Sequence, residues 1–252
     1  MKISVITVNF NDRDGLEETV RSVAAQTYRD IEYIVIDGGS TDGSKEVIEK
    51  HSCNISYWVS ERDKGIYNGM NKGIAAATGN YCIFMNSGDT FFDDNVISNV
   101  SEQLDADIVC GNAQIVKGGD YLWTAPEKID LSWWLNRYSI CHQSTFIRTE
   151  ILKTRPYNEN YKVVADYESF FYETIVNKRS YKKINLTVCN YGVDGISASH
   201  DKADDDKIRV IDTFRYNGLI EEDELLRLCK KLHYNGRRYK LALKLLKYLS
   251  DK

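Results

Sequence analysis

The chain has 252 residues, 42% hydrophobic and 28% charged, with two prolines and a formal net charge of -4. That much apolar chain builds one large α/β domain or two small ones, and excludes a disordered, collagen-like or disulfide-stapled chain. The slightly acidic balance argues against nucleic acid as a partner.

The apolar run Ile3–Val8 is broken at once by Asn9, Asn11 and Asp12. It reads as a first strand and not as a leader peptide. Asp14 with Glu17 three residues later predicts a capped helix start, and Leu16, Val20, Val23 and Ala24 share one helical face. Ile31 to Ile36 is a nearly continuous apolar strand, as expected for a parallel strand buried on both faces. It ends in Asp37-Gly38-Gly39-Ser40-Thr41-Asp42-Gly43, a tight turn into a second helix capped by Thr41 or Asp42. A strand over about Ile55 to Val59, a helix carrying Ile66, Met70, Ile74 and Ala77, and a buried strand Tyr81 to Met85 follow. The last stops at Asn86-Ser87-Gly88-Asp89.

The second half is less regular. Ile108-Val109, Ile115-Val116 and Tyr121 to Thr124 predict short strands around a Gly118-Gly119 turn. Trp133-Trp134 precedes Cys141-His142-Gln143, and a helix is predicted from about Asp166 to Val176. Strands near Lys183 and Val188 lead to Gly195-Ile196-Ser197, and the pattern is helical from about 203. No stretch approaches the roughly 18 apolar residues of a membrane span. Six scattered cysteines without a C-x-x-C pair point to a reduced, cytosolic protein and away from a paired-cysteine zinc site.

Alternating strands and helices imply a mostly parallel sheet with helices on both faces, and ligands in such sheets bind at the carboxyl ends of the strands. Those ends carry Asn9, Asp37, Glu61 with Asp63, and Asp89. A G-x-x-x-x-G-K-[ST] loop is absent, and Ser40 breaks the glycine spacing of a dinucleotide fingerprint. What remains is a nucleotide site built on carboxylates and a divalent cation.

These segments, with Glu61 to Gly73, resemble the family 2 glycosyltransferases, in particular the soluble, single-addition branch that builds bacterial capsule, exopolysaccharide and O-antigen chains. The resemblance is strong over residues 1–90 and moderate to about 200, where Cys141-His142-Gln143 and Gly195-Ile196-Ser197 also match. It implies a GT-A fold, Rossmann-like, with a mostly parallel central sheet, and a catalytic domain is expected over 1–217 (nucleotide half 1–111, acceptor half 112–200); the resemblance is absent from the tail, where the residue pattern itself predicts a basic C-terminal helical extension over 218–252. It implies inverting transfer of one sugar from a nucleotide-diphosphate donor, UDP-linked first and GDP-linked second, to a growing and lipid-linked glycan. By resemblance Thr7, Asn9, Asp37, Asp63, Asn71, Asn86 and Ser87 bind the nucleotide, with Asp37 reading the base. Asp89 holds Mn²⁺ or Mg²⁺, with His200 as a further ligand, and Asp166 is the catalytic base. His142, Gln143, Trp133 and Trp134 are placed at the donor or acceptor sugar. Their bland alternatives are a hydrogen-bonded loop histidine and core packing.

The chain departs from the family pattern at three places. Gly38 and Gly88 stand where the family has carboxylates, and Ala165 precedes the base where an acid is common. These departures keep open a non-catalytic binder of nucleotide sugars. A sugar nucleotidyltransferase is the other rival, but Asn9 to Gly15 lacks its glycine-rich phosphate loop. Residues 227–252 carry nine lysines and arginines against one acid, Asp251, so the net charge hides an acidic body and a basic tail. In the last helix Ala242, Leu245, Leu246 and Leu249 oppose Lys240, Lys244 and Lys247. Two readings stand for it: a helix lying on an anionic membrane, or one docked on the catalytic body.

Overall fold

The computed structural model describes residues 1–117, 121–135, 139–192, 200–234 and 240–250. The first half alternates as the apolar periodicity predicts: β1 (Ile3–Asn9), α1 (Arg13–Ala24), β2 (Ile31–Asp37), α2 (Ser44–Lys50), β3 (Tyr57–Ser60), α3 (Ile66–Ala76) and β4 (Tyr81–Phe84). Then come β5 (Thr90–Phe91), α4 (Val96–Ser101), β6 (Ile108–Lys117), β7 (Tyr121–Trp123), α5 (Leu131–Trp134), β8 (Thr145–Arg148), α6 (Thr149–Thr154), α7 (Ala165–Phe171) and β9 (Tyr181–Gly192). The chain closes with α8 (His200–Tyr216), α9 (Glu222–Tyr234) and α10 (Lys240–Ser250).

The strands form one sheet in the order β3-β2-β1-β4-β8-β6-β9-β5, with β7 beside β6. β3, β2, β1 and β4 run parallel. β8 turns the direction over, antiparallel to both β4 and β6, while β9 runs parallel to β6. Side chains alternate between two apolar layers, as a strand period of two requires. Ile6, Val8, Ile34, Ile36 and Phe84 lie in one layer with α3 and α7. Val5, Tyr33, Val35 and Ile83 lie in the other with α1, α2 and α4.

Helix α3 sits unusually near β1. A Cβ at Gly73 would stand 2.4 Å from Ile6 Cγ2, and one at Gly69 would stand 2.7 Å from Val8 Cγ1. Only glycine permits that approach, and it carries the start of α3 to the carboxyl end of β1.

Some boundaries differ from the sequence expectation. The cap of α1 is Asp12, which accepts the Gly15 N–H, and not Asp14. Gly43, with φ 96°, precedes α2, while Asp42 accepts the Ser44 N–H. The short strands expected around residues 108–116 are one strand, β6, because irregular register at Cys110, Asn112 and Ile115 lets it bend without breaking. Likewise 181–192 is a single strand. The helix expected to reach Val176 is α-helical to Phe171 and continues as a π-helical turn, Tyr172–Val176. The Gly118-Gly119 turn and the Gly195-Ile196-Ser197 segment lie outside the described residues.

All six cysteines are free. No helix among the described residues is long and apolar enough to cross a membrane. Ala242 and Leu245 of α10 are fully buried, in the same apolar cluster as Leu225 and Cys229 of α9 and Phe171 of α7. These residues of the apolar face are therefore turned onto the protein, as in the docked reading of the tail. Leu245→Ala should lower stability by about 2–4 kcal/mol, since it empties a filled core site. Urea unfolding that gives no loss would contradict the docking.

Candidate functional site

The parallel strands deliver their last residues side by side. Asn9 is in register with Asp37, and Asp37 with Ser60. Their side chains join in a row. Ser87 Oγ donates to Asn9 Oδ1 at 2.8 Å, and Asn9 Nδ2 donates to Asp37 Oδ1 at 2.7 Å. Ser60 Oγ donates to Asp37 Oδ2 at 2.6 Å, and the Ser40 hydroxyl and N–H complete the shell at 2.5 and 3.0 Å. Asp37 is 0% exposed. Burial pushes its pKa up, but the donors from Ser40, Ser60 and Asn9 outweigh it and hold the carboxyl below its ordinary value.

A cleft of about 770 Å³ opens over this row. Asp12, Asp63, Asp89, His142 and Asp166 all line it. Asp63 accepts the Gly65 N–H at 2.9 Å, which fixes the turn into α3. Asp89 follows Gly88, whose φ of 88° suits glycine. It is 6% exposed and accepts one side-chain bond, from Gln143 Nε2 at 3.2 Å. Burial pushes its pKa up to about 7, against the pull of His142 and Gln143. A Cβ at Gly88 would find Asp12 Oδ2 at 3.7 Å, so Asp12 stands beside the place of the missing family carboxylate.

Asp166 is brought to the same cleft from the start of α7. Its Oδ1 takes the Tyr67 hydroxyl at 2.8 Å and its own neighbour's N–H, Tyr167 N, at 2.9 Å. Its Oδ2 lies 3.2 Å from His142 Nδ1. Burial would raise its pKa, but the bond and charge of His142, with Tyr67, bring it below the ordinary value. For His142, burial opposes the imidazolium, and the bond and charge of Asp166 prevail and raise its pKa.

The sequence-derived set divides on this geometry. Asn9, Asp63, Asn86, Ser87, Asp89, His142, Gln143 and Asp166 line the cleft. Three members of the nucleotide set do not. Asp37 lies behind the wall, closed by its own hydrogen bonds. Thr7 is 0% exposed and donates to the Met85 carbonyl at 2.7 Å. Asn71 clamps the 157–159 segment, donating to Tyr157 O and Glu159 and accepting the Tyr157 N–H. Trp134 is 0% exposed and donates from Nε1 to Thr174 Oγ1 at 3.1 Å, and Trp133 is half-buried against the same cluster. Neither lines the cleft. The side chain of His200 lies outside the described residues. Tyr67 and Asp12 were not foreseen, although Tyr67 lies inside the quoted 61–73 motif.

A family model described as "Glycosyl transferase family 2" matches residues 4–169. An uncharacterized glycosyltransferase of Mycobacterium tuberculosis is 48% identical over 103 residues, which is 40% of this chain and 39% of that relative's length. The structure of S. aureus TarS in complex with UDP is similar with a TM-score of 0.70 at 19% identity, over 95% of this chain and 74% of that one. The mannosyltransferase PcManGT from Pyrobaculum calidifontis, in complex with GDP-Man and Mn²⁺, is similar with a TM-score of 0.59 at 14% identity, over 98% and 68%. These likenesses show the GT-A fold.

Asp37→Asn should destabilise the protein by about 2–4 kcal/mol at pH 7, because an amide N–H₂ then meets groups that donate. Since the folded pKa of Asp37 is lowered, its contribution is full above the unfolded value of about 3.9 and is lost as pH falls through the folded value. The gap between the wild type and the variant should therefore narrow at acid pH. An equal gap in urea melts at pH 7 and pH 3 would overturn this.

Proposed function

Because the chain belongs to glycosyl transferase family 2, we propose that it transfers a single sugar from a nucleoside-diphosphate donor to a hydroxyl of a growing glycan, with inversion. One observation carries the reading. Two carboxylates with different surroundings, Asp89 and Asp166, open on one cleft and are linked through the adjacent Gln143 and His142.

An inverting transfer is an in-line displacement. The acceptor oxygen forms its bond to the anomeric carbon as the bond to the diphosphate oxygen breaks on the opposite side. The hydroxyl proton needs a base, and the departing diphosphate needs its charge balanced. Asp166 is the base in this reading. The hydrogen bonds that lower its pKa keep it ionised, and so able to accept, at neutral pH.

The donor set suits a hard divalent cation: Asp89 offers a carboxylate in the cleft, and Asp12 stands across Gly88. Among the described residues no three His, Cys, Asp or Glu converge on one point. The protein would then hold Mn²⁺ or Mg²⁺ through these two carboxylates at most, with the remaining positions left to water and the donor's phosphates. Such an ion supplies charge neutralisation to the leaving group. UDP-sugars are the first donors to test, in keeping with TarS bound to UDP, and GDP-sugars the second, in keeping with PcManGT. Asp63 is the cleft carboxylate left for the nucleoside.

The test is release of nucleoside diphosphate from UDP-glucose, UDP-galactose, UDP-GlcNAc and GDP-mannose with Mn²⁺. Asp166→Ala should lower turnover by about 10²–10⁴ while leaving nucleotide affinity near that of the wild type. Full turnover in that variant would remove Asp166 from the base role. Asp89→Ala should abolish the Mn²⁺ dependence of UDP binding in calorimetry, and an unchanged dependence would end the metal assignment.

A further inference from the structure

His142 has both ring nitrogens engaged by the protein. Nδ1 lies 3.2 Å from Asp166 Oδ2, and Nε2 lies 3.3 Å from Asn86 Nδ2. An ionised carboxylate only accepts and an amide nitrogen only donates, so in the neutral ring the proton sits on Nδ1 and the lone pair on Nε2. The ring packs edge-on to Phe84, centroids 6.4 Å apart and planes at 86°.

The two oxygens of Asp166 are not equivalent. Oδ1 faces two donors, the Tyr167 N–H and the Tyr67 hydroxyl, whose one proton it shares with the Val163 carbonyl, whereas Oδ2 faces the one from His142. An acceptor hydroxyl must therefore deliver its proton to Oδ2, on the side His142 leaves free. We infer that His142 is a positioning residue rather than a sugar-binding one: its Nδ1–H aims the open lone pair of Asp166 Oδ2, and its Nε2 anchors the base to the donor-side turn through Asn86. This deepens the proposed function and rests on Asp166 being the base. The link is physical. Asn86 and Asp89 share one turn, closed by the Asp89 N–H to Asn86 O bond at 3.0 Å, so His142 joins the cation side of the cleft to the proton-accepting side. The His142 side chain is 17% exposed and that of Asp166 15%, which leaves one edge of the pair open to the cleft.

An asparagine amide nitrogen falls near the place of histidine Nδ1, and a glutamine amide nitrogen near that of Nε2. His142→Ala should lower kcat by about 10–100-fold with little change in KM for the donor. His142→Asn should recover most of that loss, and His142→Gln should recover little. Melting temperature and UDP binding check that each variant is folded. Equal rates for the Asn and Gln variants, a wild-type rate in all three, or a loss confined to KM would overturn the inference. Retained turnover in Asp166→Asn would instead overturn the reading of the base, whatever the His142 variants do. A readout independent of turnover is the ¹⁵N–¹H correlation of His142 above its titration. The Nδ1–H tautomer is expected, and the Nε2–H tautomer would contradict the geometry.

Discussion

The site depends on how the sheet closes off a buried charge at its carboxyl edge. Asp37 ends β2 with no exposure, and a buried carboxylate without donors is too unfavourable to persist. Its partners come from four separate places: Asn9 at the end of β1, Ser40 in the following turn, Ser60 at the end of β3, and Ser87 one bond further along through Asn9. Satisfying one charge therefore aligns three strand ends and the turn after β4. The floor of the cleft is the upper side of that network.

The opposite wall is assembled by different means. Asp166, Tyr67 and His142 come from α7, from α3 and from the short 3-10 helix His142–Ser144 before β8, far apart in sequence. The Gly69 and Gly73 contacts set α3 against β1, and this places Tyr67 within reach of Asp166. Tyr67 OH also lies 2.9 Å from the Val163 carbonyl, so its one proton is shared between Asp166 and the segment leading into α7. Buried aromatic packing of Trp134, Tyr167 and Phe171 then holds α7 from below.

Much of the first half was legible in the sequence. Continuous apolar runs that stop at Asn9, Asp37 and Asn86 mark buried parallel strands and the edge where they end. The glycine-rich turns between them mark positive φ, as at Gly39 and Gly88. The orientation of Asp37 was not legible, because it follows from Ser60, a residue 23 positions away whose hydroxyl turns the carboxylate inward. The His142–Asp166 pair was hidden for the same reason: both residues were marked as functional, but no local pattern joins them. Trp133 and Trp134 look alike in sequence, and the partners that hold Trp134 in the core, Thr174, Tyr167 and Phe171, are all distant from it in the chain. Long β6 and β9 look like fragments in the sequence, since polar residues interrupt their alternation where the register slips.

The inward turn of Asp37 bears on attempts to redesign this protein. A carboxylate with every hydrogen-bonding direction filled from within cannot be exchanged for another group without unfastening the strand ends. Substitutions that leave the strand ends fastened are available on the wall that faces the cleft, where Asp63 and the 64% exposed Phe10 stand free of the network. The buried network and the cleft-facing wall thus meet at Asn9 and Ser87 and are otherwise separate sets of residues. A library confined to cleft-facing residues other than those two leaves the network intact.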